Sequence, residues 1–307
     1  MKRLGLWMAL TCGLAACGDG KSRDEGEGDH SVKAVVASML LGTPPGEYAS
    51  DLDDDGDEDD GLGRVAATLE TTSNVDLQGG IDAAIAAGET LFLIEIRSHD
   101  ESFENDENAT LTISRASTQA SPDLSGGGSF TVEAGTTPFV LTGAIVNHVF
   151  RSDEPSGAPQ PLDFAIAFGG EDVVEVPIIA VRVTVTIDAD AQALTAGKLA
   201  GAVLAEELDT AVMPVLAAQY NAAIATDPTD SASLLILNIF DTGGCDGGVA
   251  DNSVIELCEV ENNTLLNSVF APDVDILDAS GNVAPRANGP KDALSLGVGF
   301  SGVAALY

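Results

Sequence analysis

Residues 51–61 of this chain read Asp51-Leu52-Asp53-Asp54-Asp55-Gly56-Asp57-Glu58-Asp59-Asp60-Gly61. Eight of the first ten are acids, and without a cation their carboxylates would repel one another. A calcium ion takes about 6–8 oxygen ligands, and a sharp turn at a glycine lets a short loop wrap around it. The spacing therefore predicts a calcium site over residues 51–62. Its ligands are expected to be Asp51, Asp53, Asp55, Asp57 and Asp59.

This acidic loop resembles the calcium loop of EF-hand proteins. Positions 1, 3, 5, 6 and 9 of such a loop are occupied here by Asp51, Asp53, Asp55, Gly56 and Asp59. Position 12, where the family has a bidentate Glu, is Leu62, so the resemblance implies a weaker site unless Asp60 or another segment supplies oxygens. The loop is also similar to the shortened calcium repeats of thrombospondin type-3 and dockerin-like proteins. The alternative interpretation is a solvated acidic hinge.

A second acidic stretch runs from Asp273 through Asp275 and Asp278 to Asp292. Its spacing is irregular, so an Asx-rich turn is the alternative to a second ion site. Residues 261–275 and 292–297 resemble the C-terminal part of uncharacterised Gram-negative lipoproteins. That resemblance implies no known activity.

Residues 1–16 have the features of an export signal. Lys2 and Arg3 precede a short apolar run, residues 4–14, which is too short to span a bilayer. Leu14-Ala15-Ala16-Cys17 then resembles the lipobox of bacterial lipoproteins, which implies cleavage before Cys17 and a lipid on its thiol. The alternative is an ordinary secretory signal that contains a cysteine.

Residues 17–30 are rich in glycine and charge and poor in apolar side chains, which predicts a flexible tether. Gly18 follows Cys17. By resemblance to Gram-negative sorting signals, a residue other than Asp at this position favours the outer membrane. We therefore expect a protein that is lipid-anchored in the cell envelope, at the outer membrane.

Charge excludes one class of partner. The chain carries 13 Lys and Arg against 49 Asp and Glu, a formal net charge of −36, whereas nucleic-acid binding needs clustered basic residues. An anionic membrane surface would also repel the body, so the lipid has to hold the chain on the membrane. A protein or glycan partner at the cell envelope fits these constraints.

Two cysteines remain outside the export signal. Cys245 and Cys258 are separated by 12 residues, and a pair of cysteines in an exported chain favours a disulfide. Two thiolates alone would make a poor metal site.

The hydrophobic pattern of residues 31–307 predicts one α+β domain, an antiparallel β-rich and sandwich-like body. Strands are expected over 91–96, 109–114, 139–146, 164–168, 173–187 and 294–300, where apolar residues alternate or run together. Helical spacing is read at 31–41, 62–71 and 81–87, and again over 191–225. The sequence thus predicts N-terminal helices and a helical insertion before the last strand.

Catalytic motifs are scarce. The only histidines are His30, His99 and His148, and no zinc-protease, serine-hydrolase or phosphate-loop motif occurs. Ile239-Phe240-Asp241-Thr242-Gly243 resembles the aspartic-protease signature, but that chemistry needs two carboxylates and one copy is present. We expect no enzyme, but a calcium-stabilised binding or scaffolding module. The alternative is a cell-envelope hydrolase that uses Asp241 or an unrecognised carboxylate pair.

Overall fold

A computed structural model describes residues 30–42, 46–73, 76–167, 173–241, 253–287 and 289–307. The predicted signal segment, the tether up to residue 29, the lipid site Cys17 and the predicted disulfide partner Cys245 lie outside these ranges. No helix within them has the length and apolarity needed to cross a membrane.

Strands dominate the described chain. They are β1 (His30–Leu41), β2 (Phe92–Ser98), β3 (Asn105–Arg115), β4 (Gly128–Ser129), β5 (Phe139–Val146), β6 (Val149–Ser152), β7 (Leu162–Ala167), β8 (Val173–Asp188), β9 (Ala193–Leu204) and β10 (Ala293–Leu306). The helices are α1 (Gly61–Ser73), α2 (Leu77–Ala87), α3 (Ala205–Glu207), α4 (Met213–Thr226), α5 (Ser231–Phe240), α6 (Leu257–Glu261) and α7 (Thr264–Val269). A π-helical turn, Leu208–Val212, joins α3 to α4.

Eight strands form a closed ring. Their order is β1-β2-β3-β5-β6-β8-β9-β10, and β10 pairs with β1 to complete it. Every pair in the ring is antiparallel. The prediction of a sandwich-like α+β domain is therefore wrong: the body is a closed antiparallel barrel with short helices attached. The sandwich prediction was wrong because it assigned residues 31–41 to a helix, which left β1 out of the sheet.

Strand β1 explains that error. Val32, Ala34 and Val36 are buried at a spacing of two, Val35 is buried as well, and the spacing of two resumes one residue out of step at Met39 and Leu41. The register with β10 shifts between Val36 and Ser38, which is a β-bulge that inserts one extra residue. The bulge turns a period of two into apparent helical spacing.

The barrel interior is a packed core. Side chains from five strands of the ring converge there with side chains of β7, which pairs with β8 off the ring, and leave a cavity of only about 20 Å³. Its lining includes Val36, Ile94, Ile113, Leu199, Val298 and Phe300. An eight-stranded barrel is just wide enough for side chains to fill it. That volume has room for about one water molecule.

Strand β9 is buried on both faces over residues 199–203. Leu199 and Val203 belong to the main core, whereas Ala200 and Ala202 belong to a second, smaller core. This second core also contains Leu52, from the acidic loop, and Ala293. The expected helix over 191–225 is wrong for residues 193–204, because a strand that is covered on both faces shows no alternation. The second core is what attaches the acidic loop to the barrel.

Candidate metal centre

The base of the acidic loop is held by packing and by backbone pairing. Leu52 is fully buried and packs in the second core with Val274 and Ile276. Ser50 and Asp59 exchange backbone hydrogen bonds of 3.2 and 3.0 Å across the loop. Both ends of the loop are therefore fixed against the barrel, and residues 54–58 form an exposed tip.

Two basic side chains from the barrel wall secure the loop backbone. Arg182, on β8, donates to the carbonyl oxygens of Asp51 at 2.5 Å and Leu52 at 3.4 Å. Lys198, on β9, donates to the carbonyl oxygen of Ala49. These donors come from the strands that carry the second core, so the loop and the barrel wall form one packed unit.

Three carboxylates meet at the base of the loop. Asp51, Asp53 and Asp59 each offer an oxygen, and these oxygens lie within 4.8 Å of one another. Asp53 is fully buried, and its Oδ1 atom has no hydrogen-bond partner within the described part of the chain. A buried carboxylate oxygen without a partner is costly, and a cation would satisfy it. This triad of aspartates can hold a metal ion.

Carboxylates of the loop also accept backbone hydrogen bonds from the exposed tip. The carboxylate of Asp51 accepts hydrogen bonds from the backbone of Asp55 at 3.1 Å and Gly56 at 3.0 Å. Gly56 has a φ of +94°, a conformation that favours glycine, and this turn matches the role expected for position 6. The predicted ligands Asp55 and Asp57 do not belong to the triad, and the backbone of Asp57 donates to Asp55 Oδ1 at 2.9 Å.

Both carboxylate oxygens of Asp60 accept backbone hydrogen bonds away from the triad. Its Oδ2 atom accepts a hydrogen bond of 2.6 Å from the backbone of Gly46, and its Oδ1 atom accepts one of 2.9 Å from Gly63 in the first turn of α1. An acid in this position satisfies the free N–H groups of a helix N-terminus. Leu62 is buried in the main core. Asp60 therefore caps a helix, and position 12 contributes no oxygen to the triad.

Burial makes Asp59 difficult to ionise. The side chain is 8% exposed, and burial raises the pKa of its carboxyl to about 6. The backbone of Leu52 donates to Asp59 Oδ2 at 2.9 Å and opposes this rise, while the charges of Asp53, Asp273 and Asp55 add to it. A divalent cation at the triad would favour the ionised form and reverse the effect.

The second acidic stretch lies directly beside the first. Asp275 is fully buried, and its backbone N–H donates to Asp53 Oδ2 at 3.3 Å. Its own carboxylate pairs with Arg286 at 2.7 Å. Lys291 contacts the same Asp53 Oδ2 atom and lies 3.5 Å from Asp55 Oδ2. The hydrogen bond with Asp53 raises the pKa of the Lys291 ammonium.

Other acids of the second stretch accept hydrogen bonds within their own segment or from β10. The backbone of Ser295 donates to Asp273 at 2.7 Å. The backbone N–H groups of Ile276 and Leu277 donate to the two oxygens of Asp292, each at 2.9 Å. The stretch therefore forms a hydrogen-bonded support beneath the first loop.

Sequence reasoning missed Lys291 and Arg286 as neighbours of the site. A signal was present, since both belong to the 13 basic residues of a very acidic chain and both lie in the second acidic stretch. Lys291 lies 238 positions from Asp53 in the chain, and Arg286 is connected to Asp53 through Asp275, which lies 222 positions from Asp53. Such separation in sequence hides these contacts.

The remaining predicted residues lie apart from the triad. Asp241 follows α5, and its Oδ2 atom accepts a hydrogen bond of 2.8 Å from the backbone of Ser253. Thr242, Gly243 and Cys245 are outside the described residues. Cys258 lies in the first turn of α6, and its pairing with Cys245 stays a prediction.

Fold and site together define a closed antiparallel barrel with a carboxylate triad on its outer wall. No protein-family model matches this chain, and comparison with curated proteins and with solved structures gives no match either. Arguments about function therefore depend on the geometry of the triad and on the sequence.

Proposed function

We propose that this chain is a calcium-binding lipoprotein of the cell envelope, whose barrel serves as a binding or scaffolding module. The observation that carries the proposal is the fully buried Asp53 carboxylate, with an unpartnered Oδ1 atom inside a group of three acids. An ion bound there would join the acidic loop to the second acidic stretch through Asp53 and Asp275. Calcium would thus stabilise the outer wall of the barrel.

Calcium is the best chemical match to this donor set. The triad offers only carboxylate oxygens, which suit hard cations, whereas zinc and copper sites usually include imidazole or thiolate. Magnesium demands a near-octahedral shell with short bonds, whereas calcium tolerates irregular shells. Water and the exposed acids at the loop tip would complete the shell.

Support for the location comes from the sequence. The charged start, the apolar run and the lipobox-like residues before Cys17 favour a lipid anchor, and Gly18 after Cys17 favours the outer membrane. Acyl chains in pairs hold a protein firmly, whereas one chain is marginal. The partner would be a protein or a glycan of the cell envelope.

Calorimetric titration of calcium into the metal-free protein tests the ion site. We expect binding in the parent and its loss in Asp53→Asn, because the substitution removes the buried charge at the centre of the triad. Glu58→Gln is the matched control: it makes the same acid-to-amide change in the exposed tip, outside the triad, and should bind normally. At ten times the dissociation constant, calcium should stabilise the parent by about 1.4 kcal/mol.

No heat of binding in the parent, together with an unchanged melting temperature, would refute the calcium proposal. Stronger binding of magnesium than of calcium would refute the choice of ion.

Labelling of cells with a radioactive fatty acid tests the anchor. The parent should incorporate label and fractionate with the outer membrane, and Cys17→Ser should do neither. Cross-linking in intact cells, followed by mass spectrometry, would then identify the partner. Hydrolysis of a peptide, ester or glycan substrate that is lost in Asp241→Asn would instead favour the hydrolase alternative.

A further inference from the structure

A lysine ammonium group lies against the central carboxylate of the proposed calcium site. Lys291 Nζ contacts Asp53 Oδ2 and lies 3.5 Å from Asp55 Oδ2. It therefore bridges a buried acid at the loop base and an acid of the exposed tip. The side chain of Lys291 is 34% exposed, whereas that of Asp53 is fully buried.

We propose that the Lys291 ammonium group holds the acidic loop in the metal-free protein and competes with calcium for Asp53. Lys291 would therefore set the calcium affinity of the site. The inference rests on the proposed calcium site. It adds a determinant of affinity that is not itself a metal ligand.

The competition follows from the placement of charge. Calcium on Asp53 Oδ1 and an ammonium on Asp53 Oδ2 would be two cations on one carboxylate, well within a screening length of each other. Their repulsion must either weaken calcium binding or move the lysine away. Lysine is able to move, because its charge sits at the end of a flexible four-carbon stem and its side chain is partly exposed.

The same contact stabilises the loop when no ion is bound. A fully buried carboxylate without a counter-ion is strongly unfavourable, and among the residues that the structure describes Lys291 is the cation that contacts Asp53. Arg286 is engaged with Asp275, and Arg182 with Glu154 at 2.7 Å. Removal of the lysine charge should therefore have opposite effects in the absence and in the presence of calcium.

The test compares the parent with Lys291→Met by thermal melting in EDTA and by calcium calorimetry. In EDTA the variant should melt at a lower temperature than the parent. Its calcium affinity should be about tenfold higher, the effect expected of one charge pair at a partly exposed site. Should Lys291→Met fail to fold in EDTA, Lys291→Gln, which retains a hydrogen-bond donor for Asp53, serves for the same comparison.

Two control variants separate the local charge from other effects. Lys291→Arg keeps a cation beside Asp53 and should keep an affinity close to that of the parent. Lys33→Met removes one positive charge from β1, where Lys33 lies 3.9 Å from Glu95, and should leave the calcium affinity unchanged.

The outcomes distinguish this inference from the proposed function. If the parent binds calcium and both Lys291→Met and Lys291→Gln bind it no more tightly, the competition is refuted and the calcium site stands. If only the lysine variants bind calcium, the competition is supported and calcium binding by the parent is refuted. Absence of binding in every variant refutes both.

Discussion

At the scale of single residues, Asp59 links stability to pH. Its pKa of about 6 in the folded chain exceeds the value of about 3.9 for an unperturbed Asp, so folding favours the protonated form. In EDTA, this contribution to stability is complete below about pH 4 and is lost as the pH rises through 6. A shift of about two units corresponds to about 3 kcal/mol at most.

Urea unfolding in EDTA at several pH values between 4 and 7 measures the effect. Asp59→Asn removes the titrating group and should flatten this part of the profile relative to the parent. A parent and variant with the same pH dependence would contradict the assignment to Asp59. Saturating calcium should reverse the sign in the parent, because the ion favours the carboxylate form.

Gly289 allows a close approach that no other residue can. A Cβ atom built on it would lie 1.2 Å from Asp275 Oδ2, and Asp275 is fully buried. We expect Gly289→Ala to destabilise the protein by about 1–3 kcal/mol, the usual cost of overpacking, and to weaken calcium binding by displacing Asp275 from Asp53. Chemical unfolding checks the first effect and calorimetry the second. A variant as stable as the parent would show that the second acidic stretch can shift to accommodate the added Cβ atom without loss of stability.

At the scale of elements, the acidic loop depends on one apolar side chain. Leu52→Ala should lower the free energy of unfolding by about 2–5 kcal/mol, as for other buried leucines, and should lower calcium affinity because the loop base loses its packing. Leu40→Ala is the control, since Leu40 is 44% exposed on β1 and should cost little. Equal effects of the two substitutions, measured by urea unfolding, would contradict a specific role for Leu52.

The elements that sequence could predict are those with an undisturbed pattern. The predicted strand 139–146 coincides with β5, and the alternation from Val181 to Ile187 lies within β8. The helix predicted over 81–87 lies within α2, which ends at Ala87 and is followed by Gly88 with a left-handed φ of 73°. Each of these signals is local, so none of them depends on which strand lies alongside.

The elements that sequence could not predict depend on distant partners. The bulge in β1 and the double burial of β9 both disguise a strand as a helix. Within the helical spacing read over 191–225, a π-helical turn is followed by a new helix, α4, with Pro214 in its first turn. Proline tolerates that position, because the first N–H groups of a helix have no intrahelical acceptor.

One part of the candidate site could likewise be predicted from the sequence, and the other part could not. The spacing of acids and Gly56 predicted Asp51, Asp53 and Asp59, which the structure brings together. Burial of Asp53 and its contacts with Asp275 and Lys291 depend on the second acidic stretch folding against the first. Spacing within one loop carries no information on that contact.

At the scale of the whole molecule, closure of the ring can be tested by cross-linking. Ser38 on β1 and Ser301 on β10 are register partners, and their hydroxyl oxygens lie 3.0 Å apart. Ser38→Cys with Ser301→Cys should form a disulfide on mild oxidation. It would join residues 263 positions apart, and the chain-entropy treatment predicts about 5 kcal/mol of stabilisation for so long a loop.

Peptide mapping by mass spectrometry and urea unfolding would detect the bond and its effect. Ser31→Cys with Ser301→Cys is the control, because Ser31 pairs with Arg97 on β2 and should not form a bond with residue 301. Failure of the first pair to cross-link would contradict the closed ring.

The pairing of β1 with β10 also sets the orientation of the barrel. Ala34 pairs with Ala304 and Leu41 with Val298, so His30 lies near the C-terminal end of β10 while the acidic loop lies near Ala293. The 14 residues of β10 span roughly 30 Å along the axis of a tilted barrel. In a chain anchored at Cys17, the tether would join the barrel at the end opposite to the acidic loop. Electrolyte at physiological strength damps a surface potential within about 8 Å, so the loop would sample the calcium of the surrounding medium rather than the cation-rich layer at the headgroups.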